Sequence, residues 1–89
     1  MSPTLSVVIV SWNTRDLLGQ ALDSIITTYE DPDAPEIIVV DNASGDGSPI
    51  MVREAYRHVK LIALDQNVGF AGGNNRGLAI AGGEYILLL

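Results

Sequence analysis

The sequence contains no cysteine, which excludes disulfide scaffolds, thiolate metal sites and cysteine nucleophiles. A reducing cytosol is the easier fit for such a chain. Positive charge is also scarce. Five lysines and arginines stand against eleven aspartates and glutamates, for a net charge of −6. Nucleic-acid binding needs a basic face to neutralise phosphates, and an anionic membrane surface asks for the same, so neither is expected as a direct partner. An acidic chain still binds phosphate locally, through backbone N–H groups or a bound metal. No apolar run approaches the roughly 20 residues that span a bilayer. Met1-Ser2-Pro3-Thr4 lacks the basic and apolar regions of a signal peptide. The chain therefore reads as soluble and cytoplasmic. Its single histidine, His58, has no serine or aspartate partner in an obvious triad order and reads as a surface residue. No cluster of histidines or carboxylates has metal-ligand spacing.

Apolar residues, by contrast, are abundant: 47% of the 89 residues, with a mean hydropathy of +0.25. A single small domain buries only about 60–65% of the surface its unfolded chain exposes. So much apolar sequence implies strands covered on both faces, within a larger body. Leu5 to Val10 is a β-branched run with almost no polar break, the pattern of such a strand. Asn13 is the expected N-cap of a first helix, with Asp16 at its third position. Leu17, Leu18, Ala21, Leu22, Ile25, Ile26 and Tyr29 follow at helical spacing, and the acidic, proline-bearing stretch Glu30 to Pro35 ends the helix.

Glu36 to Asp41 predicts a second strand, and Ser48-Pro49 a second helix with Ser48 as N-cap and proline at the first helical position. Met51, Val52, Ala55, Tyr56 and Val59 mark its buried face. Val59 to Leu64 predicts a third strand, Gly72 to Ala81 a third helix stopped by Gly82-Gly83, and Glu84 to Leu89 a fourth strand. The alternation predicts an α/β three-layer sandwich. About four mostly parallel strands lie in the spatial order 3-2-1-4, with helices on both faces and right-handed crossovers. No repeat or linker divides residues 1–89. An ending at Leu87-Leu88-Leu89, without a cap or covering helix, suggests a truncated piece of a larger protein.

In a sheet of this order the ligand sits at the carboxyl ends of the strands, beside the switch between the first and fourth. The loops there are Ser11 to Asn13, Asp41 to Ser48 and Asp65 to Gly73, and they hold nearly every candidate residue. Trp12 either stacks on a flat ring such as a nucleobase or plugs the top of the sheet. Asp41 and Asn42 either bind a pyrimidine N–H or ribose hydroxyl, or belong to the turn chemistry of Asn42 to Gly47; Asp46 is read as a turn residue. Asn67-Val68-Gly69-Phe70-Ala71-Gly72-Gly73-Asn74-Asn75-Arg76-Gly77 is the most unusual stretch. Paired glycines at a helix start admit close approach of a ligand, and the helix N-terminus favours an anion. Packing of helix on sheet is the other use of such glycines, and the expected one for Gly77. Gly72 to Gly77 lacks the Lys-Ser/Thr of a phosphate loop, and Ser11 to Thr14 lacks the glycines of a dinucleotide fingerprint.

Together LSVVIVSWN (Leu5 to Asn13), IIVVDNASGDGS (Ile37 to Ser48), NVGFAGGNNRG (Asn67 to Gly77) and EYILLL (Glu84 to Leu89) resemble the family 2 glycosyltransferases of GT-A, Rossmann-like fold. The third segment looks like the rhamnosyl- and galactofuranosyltransferase branch. The resemblance implies an N-terminal nucleotide-sugar-binding subdomain. Val10 and Trp12 would line the base pocket, Asp41 and Asn42 would contact base or ribose, and Asn67, Gly69, Gly73, Asn74 and Asn75 would line the ribose-diphosphate region. The parent enzyme would take a nucleoside-diphosphate sugar as donor and a glycan or lipid-linked saccharide as acceptor, with no nucleic-acid partner, at the cytoplasmic face of a membrane. The family's Asp-x-Asp motif, which holds a divalent Mg or Mn, would begin after Leu89, so no metal ligand or catalytic residue is expected here and this chain alone is expected to be inactive. A stand-alone doubly wound module of receiver type would need an acidic pair where Ser11-Trp12 stands. A sugar nucleotidyltransferase would need a glycine-rich, basic loop at Ser11 to Arg15. The exposed sheet edge and apolar tail are expected to make the chain self-associate as a dimer or larger species.

Overall fold

The computed structural model describes residues 4–28 and 34–89. Their elements are β1 (Leu5–Ser11), α1 (Arg15–Thr28), β2 (Glu36–Asp41), α2 (Ser48–Ala55), β3 (Lys60–Ala63), α3 (Gly69–Ile80) and β4 (Tyr85–Leu88). The strands form one parallel sheet in the order β3-β2-β1-β4, the α/β arrangement that the alternation implies. Tyr29 and the expected helix stop at residues 30–33 lie outside the described residues.

Side chains alternate across a strand, so β1 and β2 supply two cores. Val7, Ile9, Ile37 and Val39 pack with Leu18 and Leu22 of α1, Val52 of α2 and Val59. Val8, Ile38 and Val40 form the core of the opposite face, with Val10, Ile62, Leu64 and Ala81 against them. Burying a side chain of this size contributes about 1.5–3 kcal/mol. On the second face α3 crosses β1 and β2 at very close range. A Cβ on Gly77 would stand 2.4 Å from Val8 Cγ1, and one on Gly73 would stand 2.7 Å from Val10 Cγ1.

Local starts differ from expectation, each for a physical reason. Asn13 does not cap α1. It sits in the left-handed region at φ 52° and turns its side chain to the next loop, while Leu18 N–H bonds the Thr14 carbonyl. Asp16 is consequently the second residue of the helix rather than the third. Gly47, at φ 83°, caps α2 in place of Ser48, which becomes its first residue. α3 starts at Gly69 (φ 81°) rather than Gly72, so Gly72, Gly73, Asn74 and Asn75 lie inside the helix and not in a loop before it.

The amino edge of the sheet is stitched by one carboxylate. Glu36 opens β2, and its Oε1 accepts from Ser6 Oγ of β1 at 2.7 Å and from Gly82 N–H ahead of β4 at 2.9 Å. Its Oε2 pairs with Lys60 of β3. β4 is exposed along its whole length. Among the described residues, no helix is long and apolar enough to cross a membrane.

Candidate functional site

Parallel register ends β1, β2 and β3 level with one another. Ser11 is opposite Asp41, and Asp41 is opposite Ala63. The ladder runs one residue further, with Asn42 N–H on the Ser11 carbonyl at 2.8 Å and Leu64 N–H on the Asp41 carbonyl at 2.9 Å. The three following loops therefore leave from one edge.

Side chains then bind these loops together. Asn13 N–H donates to Ser44 Oγ at 2.9 Å, and Gly45 N–H returns a bond to Asn13 Oδ1 at 2.8 Å. Asp46 lies between two helix starts, its Oδ2 accepting from Arg15 N–H and its Oδ1 from Ser48 N–H, both at 3.0 Å. The Ser48 hydroxyl, foremost, and these N–H donors outweigh burial and hold the Asp46 carboxyl below the usual range. Asn42 joins the second loop to the third. Its Nδ2 donates to the Gly69 carbonyl at 3.0 Å, and its Oδ1 accepts from Val68 N–H at 2.9 Å.

The candidate site residues lie at the ends of β1 and β2, just ahead of α3 or in its first two turns, and at different depths. Trp12 is 56% exposed, so it does not plug the sheet. Asn67, Gly69 and Asn75 are exposed, and Val10 is half-buried. Asp41 and Asn42 are only 1% and 3% exposed. Asp41 closes the turn of its own loop, accepting from Ser44 N–H and Ser44 Oγ. Direct ligand contact by these two meets that obstacle: their polar atoms already serve protein partners. Gly73 is buried and packs closely on Val10, whose Cγ1 would stand 2.7 Å from a Cβ there. Asn74 is buried, and its Oδ1 has no hydrogen-bond partner.

Sequence reading gave Asn13 to the cap of α1 rather than to the second loop, passed over Ser44, and gave Asp46 its turn role but not its bond to Arg15 N–H. The sequence signal for Asp46 is an aspartate just ahead of Ser48-Pro49, a helix-start pattern. The Asn13 contact bridges residues far apart in the chain and leaves no local trace. Among the described residues no three carboxylate or imidazole groups stand together. Asp41 and Asp46 hold Ser44, Ser48 and Arg15 instead, so these carboxylates do not fit a divalent cation. A shallow depression of about 420 Å³, lined by Asn13, Thr14, Arg15, Asp16, Leu17 and Asp46, borders the same edge.

Residues 6–89 match the family model described as Glycosyl transferase family 2. The chain is 33% identical over 88 residues to the succinoglycan biosynthesis protein ExoO of Rhizobium meliloti, a match covering 98% of this chain and 25% of that protein. It is 30% identical over 82 residues to the N-acetylglucosaminyl-diphospho-decaprenol L-rhamnosyltransferase of Mycobacterium tuberculosis, covering 92% of this chain and 26% of that protein. Among solved structures it is similar to the mannosyltransferase PcManGT from Pyrobaculum calidifontis in complex with GDP-Man and Mn2+. That likeness has a TM-score of 0.76 and 32% identity, over 97% of this chain and 26% of that one. The chain thus spans about a quarter of the length of these relatives. Its four-stranded sheet matches the GT-A fold of that mannosyltransferase, and the chain belongs to glycosyltransferase family 2.

Proposed function

We propose that these residues form the donor-nucleotide half-site of a glycosyltransferase, which moves a sugar from a nucleoside diphosphate to a glycan or lipid-linked acceptor. The observation that carries this reading is the convergence of three cross-bonded loops at one sheet edge, with Trp12 exposed among them. The exposed Trp12 indole offers a face to a base, with Val10 two residues before it on β1 as the other side of the base pocket. The N-cap residue Val68 supplies no side-chain cap, and Asn67 Oδ1 takes only the Gly69 N–H, at 2.8 Å, which leaves the next N–H groups of the first turn of α3 for the diphosphate. Exposed Asn67 and Asn75 flank that path, while Asp41, Asn42, Gly73 and Asn74 shape it from beneath. The GDP-Man in the mannosyltransferase structure and the lipid-linked saccharide in the rhamnosyltransferase's name support donor and acceptor classes. Metal binding and proton abstraction need carboxylates that the described residues do not bring together. The 89-residue chain alone is therefore expected to bind nucleotide without transferring sugar.

The test is a titration of the isotope-labelled chain with UDP, TDP and GDP, with and without Mn²⁺. Shifts confined to the Trp12 indole, the Asp41–Ser48 loop and residues 67–75 support the reading and rank the bases. A well-folded sample that shows no shift at millimolar nucleotide defeats it.

A further inference from the structure

The side chain of Asn42 is the one group that bonds the β2 loop directly to the first residues of α3 among the described contacts, and it does so twice. Its amide presents one donor to the Gly69 carbonyl and one acceptor to Val68 N–H, at 3.0 and 2.9 Å. The residue is 3% exposed. Its Nδ2 lies 3.5 Å from where a Cβ of Gly73 would stand, so the amide packs in van der Waals contact against the second turn of α3. Gly69 is left-handed at φ 81°, and its carbonyl direction is what sets the first turn of α3.

We propose that Asn42 is a positioning residue, a primary-amide strap that fixes the start of α3 against the end of β2 and does not itself touch the ligand. The proposal rests on the nucleotide-site reading only for what the strap serves: it holds the α3 start where a diphosphate would lie. The strap has a chemical requirement that no other side chain of this length meets. A carboxylate can still accept from Val68 N–H, but it places an acceptor against the Gly69 carbonyl oxygen. Burial and that facing oxygen both disfavour the charged form. An aspartate at this position therefore takes up a proton above the usual carboxyl range and regains the donor as it does so.

Two variants test this in the ligand-free chain, with sheet amide signals of Val39 and Val40 reporting that each is folded. In Asn42→Asp the Gly69 carbonyl ¹³C signal is displaced at neutral pH and returns towards the wild-type position on acidification; in Asn42→Ala it is displaced at every pH. The strap is overturned if the Asp variant leaves the Gly69 signal in place at neutral pH, or if its displacement does not respond to pH. Nucleotide affinity, taken at each pH as a ratio to wild type, is expected to be about tenfold weaker in both variants at neutral pH, the loss for one hydrogen bond. It recovers on acidification only in Asn42→Asp. If the wild-type chain binds nucleotide and the variants bind it equally well, the positioning role fails. If wild type binds none, the site reading fails, while the Gly69 signal still decides the strap.

Discussion

Gly77 and Gly45 separate two reasons for having no side chain. Gly77 is on the sheet-facing side of α3, and a Cβ there would stand 2.4 Å from Val8 Cγ1, whereas Gly45 has nothing within 4 Å. Alanine inside a helix is worth about 1 kcal/mol over glycine, so propensity alone favours Gly77→Ala. Overpacking a filled core costs about 1–3 kcal/mol, and Val8 is fully buried between sheet and helix, so it has little room to yield. Gly77→Ala is expected to lower stability in urea denaturation, and Gly45→Ala to change it by less than about 0.5 kcal/mol. A stabilised Gly77→Ala variant would show that α3 can lift off the sheet. Packing at Gly77 is legible in the sequence, because a glycine four residues before the end of an apolar helix has few other uses. Gly73 was open to two readings. Its close contact with Val10 is set by β1 and not by anything near Gly73 in the chain, so it leaves no local trace in the sequence.

Elements meet through hydrogen bonds as well as through apolar faces. Tyr56, at the end of α2, donates from its hydroxyl to the Gly19 carbonyl at 3.2 Å and to Asp23 Oδ1 at 2.6 Å, both on α1. The Asp23 bond, then burial and the Asp23 charge, push the Tyr56 hydroxyl above its usual range. A raised folded value means that this stabilisation is present below about pH 10 and is lost as pH rises through the folded value. Tyr56→Phe keeps the ring and removes the latch, at a cost of about 1 kcal/mol. The gap in denaturation midpoint between wild type and variant is expected to close at alkaline pH; a gap that stays constant there would refute the latch. Strand order and the two-faced sheet were legible because periodicity and alternation act over many residues at once. The starts of α1 and α3 were not, because each depends on a partner in another loop. Asn13 answers to Gly45, and the Val68–Gly69 turn answers to Asn42. Trp12 and the exposed asparagines were legible as edge residues from topology alone, whereas the depth of Asp41 and Asn42 follows from turn bonds made after β2 ends.

At the scale of the whole molecule the two edges of the sheet behave differently. At the amino edge, burial would raise the Glu36 carboxyl, but the Gly82 N–H, the Lys60 ammonium and the Ser6 hydroxyl outweigh it and lower it from 4.5 to about 2. A depressed folded value gives stability that is complete above pH 4.5 and is lost as pH falls towards 2. Glu36→Gln is therefore expected to destabilise the chain at neutral pH, with the difference from wild type shrinking over that window in a pH series of urea midpoints. A difference that does not change with pH would assign the loss to packing. The side edge carries the last prediction. β4 ends the sheet, and Tyr85, Ile86, Leu87 and Leu88 are between 42% and 68% exposed, so neither face of the strand is covered by the described residues. An uncovered apolar edge strand is a template for another strand, and pairing there removes both unbonded backbone groups and apolar surface from water. The 89-residue chain is expected to self-associate through β4, with a sedimentation-average mass that rises with concentration. Leu87→Lys, which puts a charge on the strand, should return it to monomer while leaving the β1 to β3 amide signals unchanged. Wild-type chain that sediments as a monomer at every concentration would mean that the β4 edge does not template another strand, and would remove the edge as a docking surface.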